Sequence, residues 1–328
     1  MMVTDRMGYS LGPLLSMDDL LSCAKMADSS KNVDSLWVPE SWGRESFATL
    51  GAMSQVTKKP RLGTSIINIY SRTPATVAMA ATTLDMLSSS RAIIGIGTST
   101  EAIVEGWHSV KFDSPVDRMK EFIQCLRLMI GGEKVNYDGR FFKIRNFKLL
   151  HEPLRKQIPI FMAAVNSRMV SLASEHADGI IFYLRPLDEL KKSIALTKQK
   201  TGGRNFEIAC SLICAVSNDD PEKARKRAAK TLAFYVSVGK YYGKFLMENG
   251  FEKEVVDIRA AYSKSGAEAA ASCVPEKMLE SLAVCGTRYE CTASLSRFIS
   301  AGITLPIIQV NPVGSSESSF RELLSTFQ

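Results

Sequence analysis

Histidine is scarce in this 328-residue chain: His108, His151 and His176 are all there is, and none lies in a ligand-spaced cluster. No metal site is therefore expected. Cysteine occurs seven times, an odd number without paired spacing, which argues against a disulfide framework and suits a reducing compartment. Cys210 and Cys214 lie four apart in the strand-like run 208–216, hence on one face, and read as buried packing rather than a redox pair. No uninterrupted apolar segment is long enough to cross a bilayer, so no membrane association is expected. Residues 1–7 carry Asp5 and Arg6 and no apolar signal core, from which a cytoplasmic location is expected. Basic and aromatic residues do not interleave in any nucleic-acid-binding pattern, so nucleic acid is not the expected partner despite a net charge of +7. The basic runs at 191–192, 198–200 and 223–230 read as solvated helix faces, and the positive field suits an acidic small molecule better.

What the chain does have is a repeated alternation of short apolar runs and helical stretches. The run 92–96 leaves no room for polar alternation, as in a strand buried on both faces, and opens into Gly97-Thr98-Ser99. Helical patterns precede it at 73–89 and follow it at 115–130. Further strands are expected at 7–11, 35–38, 61–67, 158–163, 179–183, 206–216 and 306–310, each followed by a helix. Ser16 and Thr73 stand as N-caps, with Pro74 at a first helical position where its missing amide costs nothing. Residues 100–113 read as a longer link carrying Glu101, Glu105, Trp107 and His108, and 137–150 as a hairpin turning at Asp138-Gly139. The helical region from 221 to about 280 is too long for one barrel helix, so part of it, at about 241–272, reads as an insertion. The expected fold class is α/β: a (β/α)8 TIM barrel with insertions, one domain over residues 1–328.

In such a barrel the chemistry sits where strands exit. The exit segments supply small residues, hydroxyls, amides and arginines, and no Cys–His pairing is suggested, so the site looks built for a cofactor that brings its own reactivity. The stretch Ala163-Ala164-Val165-Asn166-Ser167-Arg168 opens a helix and could hold an anion on free amides; equally, Asn166 or Ser167 could only cap that helix. Gly95-Ile96-Gly97 lacks the third glycine of a dinucleotide fingerprint. Trp37 reads as packing, while Trp42 and Trp107 could wall a ring system or plug a loop. Glu40 is either an acid beside a reactive ring or a solvated loop carboxylate, and His108 either a donor to substrate or a satisfied loop histidine.

Several strings carry a likeness. They are Leu62-Gly63-Thr64-Ser65-Ile66 with Asn68, Tyr70, Arg72 and Pro74, then Ala81-Thr82-Thr83-Leu84-Asp85, Arg91 and Gly95-Ile96-Gly97. Together with Trp37-Val38-Pro39-Glu40-Ser41-Trp42-Gly43 and Val104-Glu105-Gly106-Trp107-His108, they resemble the bacterial-luciferase-like superfamily. Within it they are similar to the coenzyme F420-dependent oxidoreductases near methylenetetrahydromethanopterin reductase. The likeness runs nearly end to end and is weakest over 241–272.

The resemblance implies a luciferase-like barrel, a homo-oligomer (dimer or tetramer), a small-molecule substrate, and coenzyme F420, with FMN as the alternative. Ser65 and Ile66 would form a bulge behind the ring, joined by a cis peptide, with Asn68 nearby. Thr98 and Ser99 would contact the ring or its polyol chain, and Ala164, Val165, Asn166, Ser167 and Arg168 the phosphate. Glu40, Ser41 and His108 would be the catalytic candidates. Ser41 replaces the histidine of alcohol-oxidising relatives, and Ser10 stands where methanopterin reductases carry a glutamate. The implied activity is hydride transfer between F420 and a small organic substrate. An FMN-dependent monooxygenase and a non-catalytic flavin- or deazaflavin-binding barrel are the rival readings.

Overall fold

The structure, a computed structural model, describes residues 6–40 and 43–328. The chain runs β1 (Met7–Ser10), α1 (Met17–Ser29), β2 (Val33–Val38), α2 (Ser46–Val56), β3 (Arg61–Thr64), β4 (Ile67–Asn68), α3 (Pro74–Leu87) and β5 (Ala92–Gly97). It continues through α4 (Glu101–His108), α5 (Pro115–Ile130), β6 (Val135–Asp138), β7 (Lys143–Phe147), β8 (Ile160–Ala163), α6 (Ser167–His176), β9 (Gly179–Tyr183) and α7 (Leu187–Thr201). Last come β10 (Glu207–Val216), α8 (Pro221–Val238), α9 (Lys240–Leu246), α10 (Glu252–Ser272), α11 (Glu276–Leu282), β11 (Ala283–Gly286), α12 (Arg288–Ser300), β12 (Leu305–Val310) and α13 (Ser316–Thr326). Eight strands, β1, β2, β3, β5, β8, β9, β10 and β12, alternate with helices along the chain in the order of a β/α barrel. This is the expected (β/α)8 fold.

Two compact units divide the chain, Ser35–Ile181 with Thr197–Phe206 and the rest. In the first, β2, β3, β5, β8 and the start of β9 pair in parallel, with Trp37 beside Gly63, Gly63 beside Ile93, Ile94 beside Ile160 and Phe161 beside Gly179. Trp37 is fully buried, packs 5.6 Å from the Phe161 ring and donates to Ser35 Oγ at 2.8 Å, so its packing role holds. A Cβ on Gly63 would lie 2.4 Å from the Trp37 ring, which is why glycine faces it. Asp85 and Arg91, both in the strings that carry the family likeness, pin the start of β5. Asp85 Oδ1 accepts from Ala92 N at 3.2 Å and from Arg155 Nη2 at 2.7 Å, while Arg91 donates to the carbonyls of Pro60, Thr57 and Ser88. In the second unit β1, β10, β11 and β12 pair in parallel, and a core around α8 and α10 includes Leu232, Val236, Val255 and Ile258. Burial pushes the Cys210 thiol up to about 12, in keeping with packing rather than redox chemistry.

The structure departs from expectation in four places. The strand expected at 61–67 is broken into β3 and β4, because the Thr64 hydroxyl both accepts from Gly95 N (2.8 Å) and donates to Gly95 O (2.7 Å), interrupting the backbone ladder. The link 100–113 contains α4, a helix of only eight residues of which Val104 alone is buried. Ser109, at φ 54°, ends that helix. The short β11 directly abuts α11 without a turn residue and lies just beyond the helical region expected to about 280, where no strand is expected. The hairpin β6–β7 turns over residues 139–142 rather than two residues, since Glu121 accepts the amides of Arg140, Phe141 and Phe142 at 3.0, 2.9 and 3.4 Å. The region 241–272 is built from α9 and α10, with Gly250 at φ 91° between them.

Candidate functional site

The exit of β2 is organised by the Val38 carbonyl, which accepts from Ser65 N at 2.9 Å and from Ser46 Oγ at 3.1 Å. These bonds draw the start of α2 and the break after β3 onto the strand end. The α2 N-terminus carries two carboxylates, placed where free amides and the helix dipole favour negative charge. Glu45 is the N-cap, accepting from Phe47 N at 3.1 Å, and Glu40 Oε2 accepts from Ser46 N at 2.9 Å. Arg72, from the loop after β4, bridges both. Its Nη2 lies 2.8 Å from Glu40 Oε2, its Nε 3.3 Å from Glu40 Oε1, and Nη2 also bonds Glu45. Burial works against the guanidinium charge, but the Glu40 bond and the Glu40 and Glu45 charges outweigh it and hold the Arg72 pKa above its usual value.

Asn68 ends β4, paired beside Gly97, and is 5% exposed. Its Oδ1 accepts from Tyr70 N at 2.9 Å and its carbonyl from Ser71 Oγ at 3.0 Å, a local turn that fixes which way the side-chain amide faces. Asn68 Nδ2 is buried and has no hydrogen-bond partner among the described residues. A cavity of about 260 Å³ lies against these residues, lined by Glu40, Gly43, Arg44, Glu45, Asn68, Ser71, Ser99, Ile103 and His108. Ser99 reaches it from the turn after β5, at φ 58°, and His108 from the end of α4.

The sequence model of the luciferase-like monooxygenases matches residues 2–305. The chain belongs to that family. A methylenetetrahydromethanopterin reductase from Methanolobus tindarius is 26% identical, with 92% of each chain covered. A Mycobacterium tuberculosis protein assigned provisionally to the coenzyme F420-dependent oxidoreductases is 28% identical, over 87% of this chain and 88% of its own. Among solved structures, the coenzyme F420-dependent tetrahydromethanopterin reductase from Methanopyrus kandleri superposes with a TM-score of 0.86, covering 98% of this chain and 97% of its own at 19% identity. The luciferase-like barrel is thereby shown, and the protein is an enzyme of this oxidoreductase family.

In this family member the cavity gathers four of the expected site residues, Glu40, Asn68, Ser99 and His108. Ser41 and Trp42 lie outside the described residues. The Ser65–Ile66 peptide is cis, as the resemblance implies, and a Cβ on Gly97 would lie 2.6 Å from Ile66 Cδ1. Ser65, Ile66 and Thr98 are half-buried beside the cavity's strands without lining it. Ala164 is buried and Val165 half-buried, whereas Asn166, Ser167 and Arg168 are exposed. Asn166 caps α6, its Oδ1 accepting from Met169 N at 3.0 Å, so the capping alternative holds for that side chain. Glu40 is not a solvated loop carboxylate: its side chain is 16% exposed and ion-paired with Arg72. The second unit's exit residues are spent on structure, with Tyr183 donating to Gln309 Oε1 at 2.8 Å and Asn311 Oδ1 accepting from Thr231 at 2.6 Å. Arg185 donates to Ser193 Oγ at 2.7 Å between the Phe182 and Phe245 rings, where burial lowers its pKa to about 10. Gly8-Tyr9-Ser10-Leu11-Gly12 matches the letters of a nucleophile elbow, but Ser10 lies inside β1 beside Gln309, not on a strand-to-helix turn. Sequence reasoning did not single out Glu45, Ser71 or Ile103 as lining, and it placed Arg72 in a motif without its partners, which stand 32 and 27 residues away. Among the described residues no cluster of three or more ligating side chains could hold a metal, and no helix is long and apolar enough to cross a membrane.

Proposed function

We propose that this protein is a coenzyme F420-dependent oxidoreductase that moves a hydride between the deazaflavin ring and a small organic substrate. The observation that carries the reading is the buried amide of Asn68, without a partner among the described residues, on a cavity also lined by the Ser71 and Ser99 hydroxyls, Arg44, His108 and the engaged Glu40 and Glu45 carboxylates. That donor set suits the carbonyls of a tricyclic ring and the hydroxyls of its side chain, and the cavity is close to the ~300 Å³ at which small-ligand sites begin. The coenzyme, when bound, supplies the carbon that carries the hydride. Ser71 and Ser99 hydroxyls would hold its polar edge, Ser65, Ile66 and Thr98 would stand behind it, and Ala164 to Arg168 would hold its phosphate. Arg72 keeps Glu40 oriented as a hydrogen-bond acceptor toward substrate, and Ile103 and His108 on α4 line the cavity from one side. The names borne by the relatives support F420 over FMN.

Purified protein titrated with coenzyme F420 and with FMN, each followed by fluorescence quenching, tests the reading. Saturable quenching of F420 alone is expected; saturation by FMN alone would refute it. Arg168→Ala should weaken F420 binding by about threefold to tenfold at low ionic strength, and the loss should shrink with added salt. Equal affinity of parent and variant at every salt concentration would remove Arg168 from the phosphate site.

A further inference from the structure

We infer that Asn68 Nδ2 is a built donor for a neutral carbonyl oxygen of the bound ligand, and that the Glu40–Arg72–Glu45 network beside it selects against an anion at that point. The inference deepens the proposed function and rests on that reading for the identity of the ligand. The amide cannot turn round to relieve the unmade bond, because Oδ1 is held by Tyr70 N at 2.9 Å and Asn68 has 5% of its surface exposed. Buried donors without partners are rare, and those that exist call for an explanation such as a ligand group. Tyr70, whose amide fixes the turn, is itself held by its hydroxyl on the Asp113 carbonyl at 2.7 Å, so the turn is anchored at both ends.

The neighbouring charges decide the kind of acceptor. Glu40 receives Ser46 N, Arg72 Nη2 and Arg72 Nε, and Glu45 receives the first amides of α2. Arg72 is thus spent on two carboxylates of the same cavity rather than offered to a ligand anion. Arg44 and His108 also line the cavity, and Arg44 already has interactions of its own; at Asn68 itself a phosphate or carboxylate would meet one amide donor beside Glu40, whereas a carbonyl oxygen needs only the single donor. The carbonyl can belong to the ring of the cofactor or to the substrate, and binding separates these sources.

Asn68→Asp keeps the acceptor for Tyr70 N and the side-chain shape while replacing the donor. Asn68→Ser is the uncharged companion, able to keep a local turn. Thermal melting of both variants reports the fold. Affinity for F420 and FMN is read by fluorescence quenching, and substrate KM by turnover with the cofactor that binds. With the carbonyl on the cofactor, cofactor affinity falls by about tenfold in both variants. With the carbonyl on the substrate, cofactor affinity holds within about twofold and KM rises by about tenfold. Loss of FMN binding on substitution, in a parent that binds only FMN, would refute the F420 reading and leave the inference standing. Unchanged affinity and KM in both folded variants would overturn the inference. So would competition of inorganic phosphate with the cofactor in the parent but not in Asn68→Asp, which would make the group an anion, or a parent that binds neither cofactor.

Discussion

Gly95 offers the sharpest test of how the barrel frames the site. A Cβ added there would lie 1.9 Å from the Thr64 carbonyl oxygen and 3.0 Å from its carbon. The obstacle is backbone, so no rotamer change relieves it, and β3 must move away from β5 by about 1 Å in a close-packed interior. Overpacking of this kind costs about 1–3 kcal/mol, and the two bonds between Thr64 Oγ1 and the Gly95 backbone add about 1 kcal/mol each if they break. Gly95→Ala should therefore lower the unfolding free energy by about 3–5 kcal/mol. Gly97→Ala is the control two residues along the same strand. Its Cβ would meet Ile66 Cδ1 and Cγ1 at 2.6 and 2.8 Å, the far end of a flexible side chain, so about 1–2 kcal/mol is expected. Ile66→Ala should be less costly in the Gly97→Ala background than in the parent, since it removes both atoms. Urea unfolding of the four proteins and the double variant measures all of these. A Gly95→Ala protein within about 1 kcal/mol of the parent, or strict additivity of Gly97→Ala with Ile66→Ala, would refute the steric argument.

Two further outcomes follow from the charged groups. Arg72→Met should cost about 1–3 kcal/mol, because the Arg72 and Glu40 side chains are only 18% and 16% exposed. A double-mutant cycle with Glu40→Gln should give a coupling of about 1 kcal/mol or more, and zero coupling would leave the pair without a role in stability. Glu290 accepts from Thr287 N at 2.7 Å in a capping box, and that bond leads the causes that hold its carboxyl below the usual 4.5. A depressed folded pKa gives stability that is present above 4.5 and lost as pH falls through the folded value. The melting-temperature gap between parent and Glu290→Gln should thus be full at neutral pH and close in acid; a gap independent of pH would rule out this linkage.

Much of this protein was legible because it is local. A run such as 92–96 has to be buried on both faces to be stable, Thr73-Pro74 has to start a helix, and Ser16 and Asn166 cap within three residues. Those constraints, repeated along the chain, specify alternating strands and helices and therefore a parallel barrel. The family strings implied the bulge and cis peptide at Ser65–Ile66 as well, although the residue pattern alone reads 61–67 as one strand. What sequence could not supply is the state of each polar group. Glu40 reads as an acid until Arg72, 32 residues on, claims it, and Asn68 reads as one more turn residue until burial leaves its amide without a partner. Periodicity and capping act over a few residues and are written in the chain. Desolvation, ion pairing and an unmade hydrogen bond depend on which distant segments meet, and only the folded barrel decides that.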